Sequence, residues 1–123
     1  MKKALLLIPL AVVLFVSCRK TDNPTVYSLG VDMQESFNKD NVRVYIDNQP
    51  LLSTELTSNP SLGLAGSVAT VNTEGNHVIK VVVNDNTVTT ENFTQHADLY
   101  IGIKLNKTSN AVSFVYSTHK FTY

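Results

Sequence analysis

From Val26 onward, apolar and polar residues alternate with a period of two, and helical spacing is nearly absent. The run Leu99-Tyr100-Ile101-Gly102-Ile103-Lys104-Leu105 is the clearest case. Its odd positions are all aliphatic, and Tyr100, Gly102 and Lys104 face the other way. Val42 to Asp47 alternates in the same manner, with Tyr45 on the polar side. Val112, Phe114 and Tyr116 form a further inward row, and Tyr27, Leu29, Val31 and Met33 another. His77 to Val83 is apolar on both faces apart from Lys80, which predicts a central strand covered on both sides. Phe121 and Tyr123 alternate with polar neighbours, so residues 119–123 read as a terminal strand. The stretch Val31–Asn38 reads as a strand running into a loop, although Asp32–Phe37 also allows one helical turn.

Turn residues separate these runs. Asp47-Asn48-Gln49-Pro50 predicts a hairpin into Leu51 and Leu52. Asn59-Pro60-Ser61 with Gly63, then Glu74-Gly75-Asn76, Asn84-Asp85-Asn86 and Asn106 to Asn110 mark the later connections. Strands at this spacing, rich in β-branched Thr and Val, predict an all-β fold: a single antiparallel β-sandwich of seven or eight strands over residues 26–123. The chain has no tryptophan and one cysteine, so it lacks the marks of an antibody-type domain. The general form expected is immunoglobulin-like or transthyretin-like.

The N-terminus follows a different logic. Lys2 and Lys3 precede thirteen mostly apolar residues, Ala4 to Val16, then Ser17 and Cys18. The apolar run falls short of the roughly 20 residues that span a bilayer, contains Pro9, and gives way at once to polar residues. It reads as a signal peptide over residues 1–17, with Cys18 and a polar tether filling 18–25. Phe15-Val16-Ser17-Cys18 resembles the lipobox of bacterial lipoproteins; Phe15 stands where most members carry an aliphatic residue, a looseness seen in Bacteroidota lipoproteins. The resemblance implies that Cys18 is lipidated and becomes the first residue. It implies a membrane anchor and an envelope location, at the outer membrane, facing the periplasm or the surface. An ordinary secretory signal with a chance cysteine is the other reading. Val42 to Pro50, followed by Gly75-Asn76-His77-Val78-Ile79-Lys80-Val81, resembles small PEGA-type surface domains over about a third of the mature chain. That likeness implies no catalytic residue.

Charge and chemistry narrow the functional classes. The full chain is neutral, and without Lys2 and Lys3 eight basic residues face ten acidic ones. No basic stripe remains, so no nucleic-acid partner is expected. His77, His96 and His119 are far apart in sequence; only His96 and Asp98 are close enough to share a face and touch one ion, and no metal is expected. No serine lies in a nucleophile elbow, and no loop has the spacing of a calcium or phosphate site. Neither a catalytic site nor a cofactor is expected. Tyr45 and Tyr100 point away from the aliphatic rows, and on neighbouring strands they would form a platform for a sugar or a protein. Covering a second layer is their alternative role. The function expected is a non-catalytic, lipid-anchored binding or interaction module, with an envelope protein or glycan as partner. A pilus-like assembly subunit and a small hydrolase built around His96 and Asp98 are the alternatives.

Overall fold

The computed structural model describes residues 24–123. Eight strands follow one another: β1 (Val26–Met33), β2 (Asp40–Ile46), β3 (Gln49–Leu56), β4 (Gly66–Thr73), β5 (Gly75–Val83), β6 (Thr87–Gln95), β7 (Leu99–Asn106) and β8 (Ala111–Ser117). No helix occurs among the described residues. The strands form two four-stranded sheets, ordered β4-β1-β7-β8 and β3-β2-β5-β6.

The alternation in the sequence sets which side chains go inward. Leu29, Val31 and Met33 of β1, and Ile101 and Ile103 of β7, are fully buried in the first sheet. Val42 and Val44 of β2, with Ile79, Val81 and Val83 of β5, match them in the second. All belong to one apolar cluster, to which Phe37, Phe93, Leu105 and Val112 add. The inward rows are deepest on the interior strands, because an edge strand has a neighbour on one side only. The stretch His77–Val83 is such an interior strand, β5, as its composition predicts. Its outer side is less covered than expected: Val82 is buried, but Val78 is exposed.

Two expectations need correction. The strands are not all antiparallel, since β1 and β7 run parallel, Leu29 opposite Leu99 and Met33 opposite Ile103. The chain leaves the first sheet to build the β2–β3 hairpin, returns for β4, and leaves again for the β5–β6 hairpin. It then re-enters beside β1 in the same direction. Glu74 and Gly75 are accordingly a crossing between sheets, and Gly75 takes a φ of 124° there, open to glycine at little cost. The second correction concerns residues 119–123, which form no strand. At the end of β8 the Ser117 hydroxyl accepts from the His119 amide and donates to its carbonyl, turning the chain off the sheet edge.

Tyr116, read as an inward residue, sits at the rim with 38% of its surface exposed. Its ring lies 6.3 Å from that of Phe93, and its hydroxyl donates to Glu91 of β6. It thereby ties the edge of one sheet to the edge of the other.

The hairpins are set locally. Asp47 and Asn48 have φ of 51° and 67°, and Asn84 and Asp85 have 54° and 61°. Two consecutive left-handed residues are the requirement of a type I′ turn, which Asn and Asp tolerate best after glycine. Asn48→Val is therefore expected to cost about 1–2 kcal/mol, since a β-branched residue is strained at positive φ. Asn48→Gly should match or exceed the parent in thermal denaturation.

Candidate functional site

The outer face of the β4-β1-β7-β8 sheet is low in the middle. Gly30 of β1 lies opposite Tyr100 of β7, and Asp32 lies opposite Gly102. Both glycines are needed for space rather than for backbone freedom. A Cβ on Gly30 would come within 2.8 Å of the Tyr100 ring, and one on Gly102 within 2.7 Å of the Gln34 amide. The absent side chains let Tyr100 and Gln34 lie across the neighbouring strand. Ala69 and Ser67 of β4, opposite Gly30 and Asp32, continue the low floor.

The C-terminal segment passes over this floor. Its last side chain, Tyr123, donates its hydroxyl hydrogen to Asp32 Oδ2 at 2.7 Å and accepts from Gln34 Nε2 at 2.9 Å. Gln34 is only 6% exposed, so this anchor is rigid on one side. The Tyr123 hydroxyl is pushed up to about 12. Burial is the main cause, followed by its bond to Asp32 and the nearby carboxylate charge, with Gln34 acting the other way. It therefore stays a donor throughout the physiological range. Between this segment and the sheet lies a cleft of about 400 Å³, walled by Tyr100, Phe121, Tyr123 and Leu64, with Asp32 and Lys120 among its polar groups.

The residues picked out in the sequence are dispersed by the fold. Tyr100 lines the cleft. Tyr45 belongs to β2, in the other sheet, so the two tyrosines cannot form a shared platform. They sit on strands of different sheets whose inward rows join one apolar cluster, and each lies on the side of its strand away from that row. Lys80, paired with Tyr45 across β2 and β5, holds its Nζ 4.6 Å from the Tyr45 ring centroid. Cys18 lies outside the described residues. His96 and Asp98 both line a small depression of about 220 Å³ but are not hydrogen-bonded to each other: His96 Nδ1 faces Glu74 at 3.3 Å, and Asp98 Oδ1 accepts from the Ser28 amide at 2.9 Å. Among the described residues no three His, Cys, Asp or Glu side chains gather in a metal-holding group.

Two polar clusters were not legible in the sequence. His77, nearly buried, places Nδ1 2.5 Å from Asp47 Oδ2 and Nε2 2.7 Å from the Thr73 carbonyl. Asp40, 4% exposed, accepts from Lys107 Nζ at 2.7 Å, Asn84 Nδ2 at 2.8 Å and the Asn38 amide at 2.7 Å. Burial alone would raise its pKa, but Lys107 and the two further donors outweigh it and hold the carboxyl below the usual value. These aspartates, Asp40 at the start of β2 and Asp47 and Asp85 in turns, are thus engaged by basic side chains of the chain itself: Asp40 by Lys107, Asp47 by His77 and Asp85 by Arg43. No buried side-chain polar atom among the described residues lacks a partner. These clusters hold the fold together; a depression of about 390 Å³ lies beside His77 and Asp47 as well, but both of those side chains are already engaged with each other.

No protein-family model matches the chain, and no curated protein is detectably similar to it.

Proposed function

We propose that this chain is a lipid-anchored, non-catalytic binding module of the bacterial envelope, its body a β-sandwich of immunoglobulin-like or transthyretin-like form. The single apolar cluster shared by both sheets supports the sandwich. The observation that carries the binding role is the cleft on the outer face, where two glycines and a cross-braced Tyr123 hold Tyr100 and Asp32 beside open space. A site built on strands and fixed by hydrogen bonds is suited to recognition. The basic, apolar and small residues ahead of Cys18 support the anchor. Residues 19–25 extend at most about 25 Å, so acyl chains on Cys18 would keep the cleft close to a membrane surface. One chain alone binds a membrane marginally, and several hold stably.

Intact-mass analysis of the protein from its host membranes tests the anchor: the expected product begins at an acylated Cys18, and a free thiol there refutes it. Photo-crosslinking in living cells tests the role. A crosslinker at position 100 should capture a partner and one at position 45 should not. Equal capture from both faces, or none from either, would remove the cleft from the proposal.

A further inference from the structure

We infer that the cleft over Gly30 takes a neutral saccharide, which deepens the binding role proposed above and rests on it. The centre of the floor, β1, offers nothing to a peptide seeking main-chain partners; only the outer edge of β4, at the border of the cleft, has a side unpaired within its sheet. β1 lies between β4 and β7 and is hydrogen-bonded on both sides, so no strand can be added there. The lining carries aromatic rings from two distant parts of the chain, Tyr100 of β7 lying across Gly30, and Phe121 with Tyr123 of the C-terminal segment. Flat rings of this kind pack against the C–H faces of a pyranose, and they lose little conformational entropy in doing so. The polar groups are a carboxylate, Asp32, an ammonium, Lys120, and a hydroxyl, Ser67. Opposite charges in one cleft give little net field for an ionic ligand, and a bare acyl chain would leave the second oxygen of the half-buried Asp32 carboxylate without a donor. Sugar hydroxyls donate and accept, and so satisfy both at once. Asp32 is already oriented by the Tyr123 hydroxyl, and among the described residues its second oxygen takes no hydrogen bond. At about 400 Å³ the space falls within the range of small-ligand sites, roughly 300–1,000 Å³.

The test is titration of detergent-solubilised full-length protein with soluble cello-, malto-, manno- and N-acetylchito-oligosaccharides, followed by calorimetry and saturation-transfer NMR. At least one series should bind saturably in the millimolar range or tighter. Tyr100→Ala should weaken it about tenfold, the effect of removing one stacked ring with its buried area. Tyr45→Ala, on the opposite face, should leave it unchanged. Should Tyr100→Ala unfold the chain, Asp32→Asn supplies the second reading, since it keeps the size of the side chain and removes its charge; several-fold weaker binding is expected. Failure of every series to bind, or binding indifferent to both substitutions, would overturn the inference. Capture of an unglycosylated polypeptide from position 100 in cells would also overturn it while sparing the broader binding role. A free Cys18 thiol would remove the anchor and leave saccharide binding untouched.

Discussion

A His77→Ala chain is expected to lose about 2–4 kcal/mol of stability, a fall in melting midpoint on the order of 10–20 °C for a domain of this size. Both nitrogens of the ring face acceptors, Asp47 Oδ2 and the Thr73 carbonyl. Two acceptors call for two donors, so this geometry favours the imidazolium form of His77 and raises its pKa. That one ring joins the β2–β3 turn, the end of β4 and the start of β5, at the point where the chain crosses between sheets. Asp47 completes the joint by accepting from the Val78 amide at 2.9 Å. Phe93, with ring centroids 5.6 Å apart, packs against the imidazole. Alanine would remove a donor from each acceptor and leave a void beside Phe93. Asp47 is 44% exposed on its side chain, and water would soften part of the loss.

The same clamp sets a pH dependence. Burial opposes the charge on His77, but the Asp47 hydrogen bond, the Thr73 carbonyl and the Asp47 charge together outweigh it, and the pKa is raised above 6.5. A group whose folded pKa is raised stabilises the fold fully below its unfolded value. That contribution is lost as pH climbs through the folded pKa. The parent should therefore lose stability from neutral to alkaline pH, and His77→Gln should be flatter over that window. Melting curves that stay parallel across the window would show that the ring is not charged in the fold.

Deleting residues 119–123 is expected to cost about 2–3 kcal/mol, roughly 10 °C in melting midpoint. The segment is not a strand, so the loss does not come from a ladder of backbone bonds. It comes from uncovering the low face around Gly30 and Gly102. Phe121 is half-buried there, and the Tyr123 hydroxyl bridges Gln34 and Asp32. Without Tyr123, the nearly buried Gln34 amide loses the acceptor for its Nε2 hydrogen. Tyr123→Phe separates the two contributions: the ring remains, the bridge is lost, and about 0.5–1.5 kcal/mol should go with it. An unchanged midpoint in the truncated chain would mean that the segment lies on the sheet without holding it.

Elements whose form depends on near neighbours were readable in advance. Leu99 to Leu105 alternates without a break, and β7 runs over those residues with Ile101 and Ile103 fully buried. Asp47-Asn48 and Asn84-Asp85 are turns because both residue types tolerate positive φ. The candidate site was only partly readable. Tyr100 stood out as an aromatic on the polar side of an aliphatic strand, but nothing marked Asp32, Gln34 or Tyr123 as its companions. The alternation at Phe121 and Tyr123 even pointed to the wrong element, because an aromatic on every second residue equally suits a segment laid over a glycine-lowered face.

The sequence by itself determined the all-β class, the inward row of each central strand and the position of most turns. Each follows from the two-residue period of an extended chain and from the φ preferences of single residues. Only the tertiary structure decided that Tyr45 and Tyr100 belong to different sheets, that β1 and β7 run parallel, that Asp47 and Thr73 clamp His77, and that Tyr123 reaches Asp32 across 91 positions. The reason is physical. A strand's pattern states which face is dry but carries no information on which strand lies beside it. That choice depends on how two sheets share one core, and it brings together residues that no local rule connects.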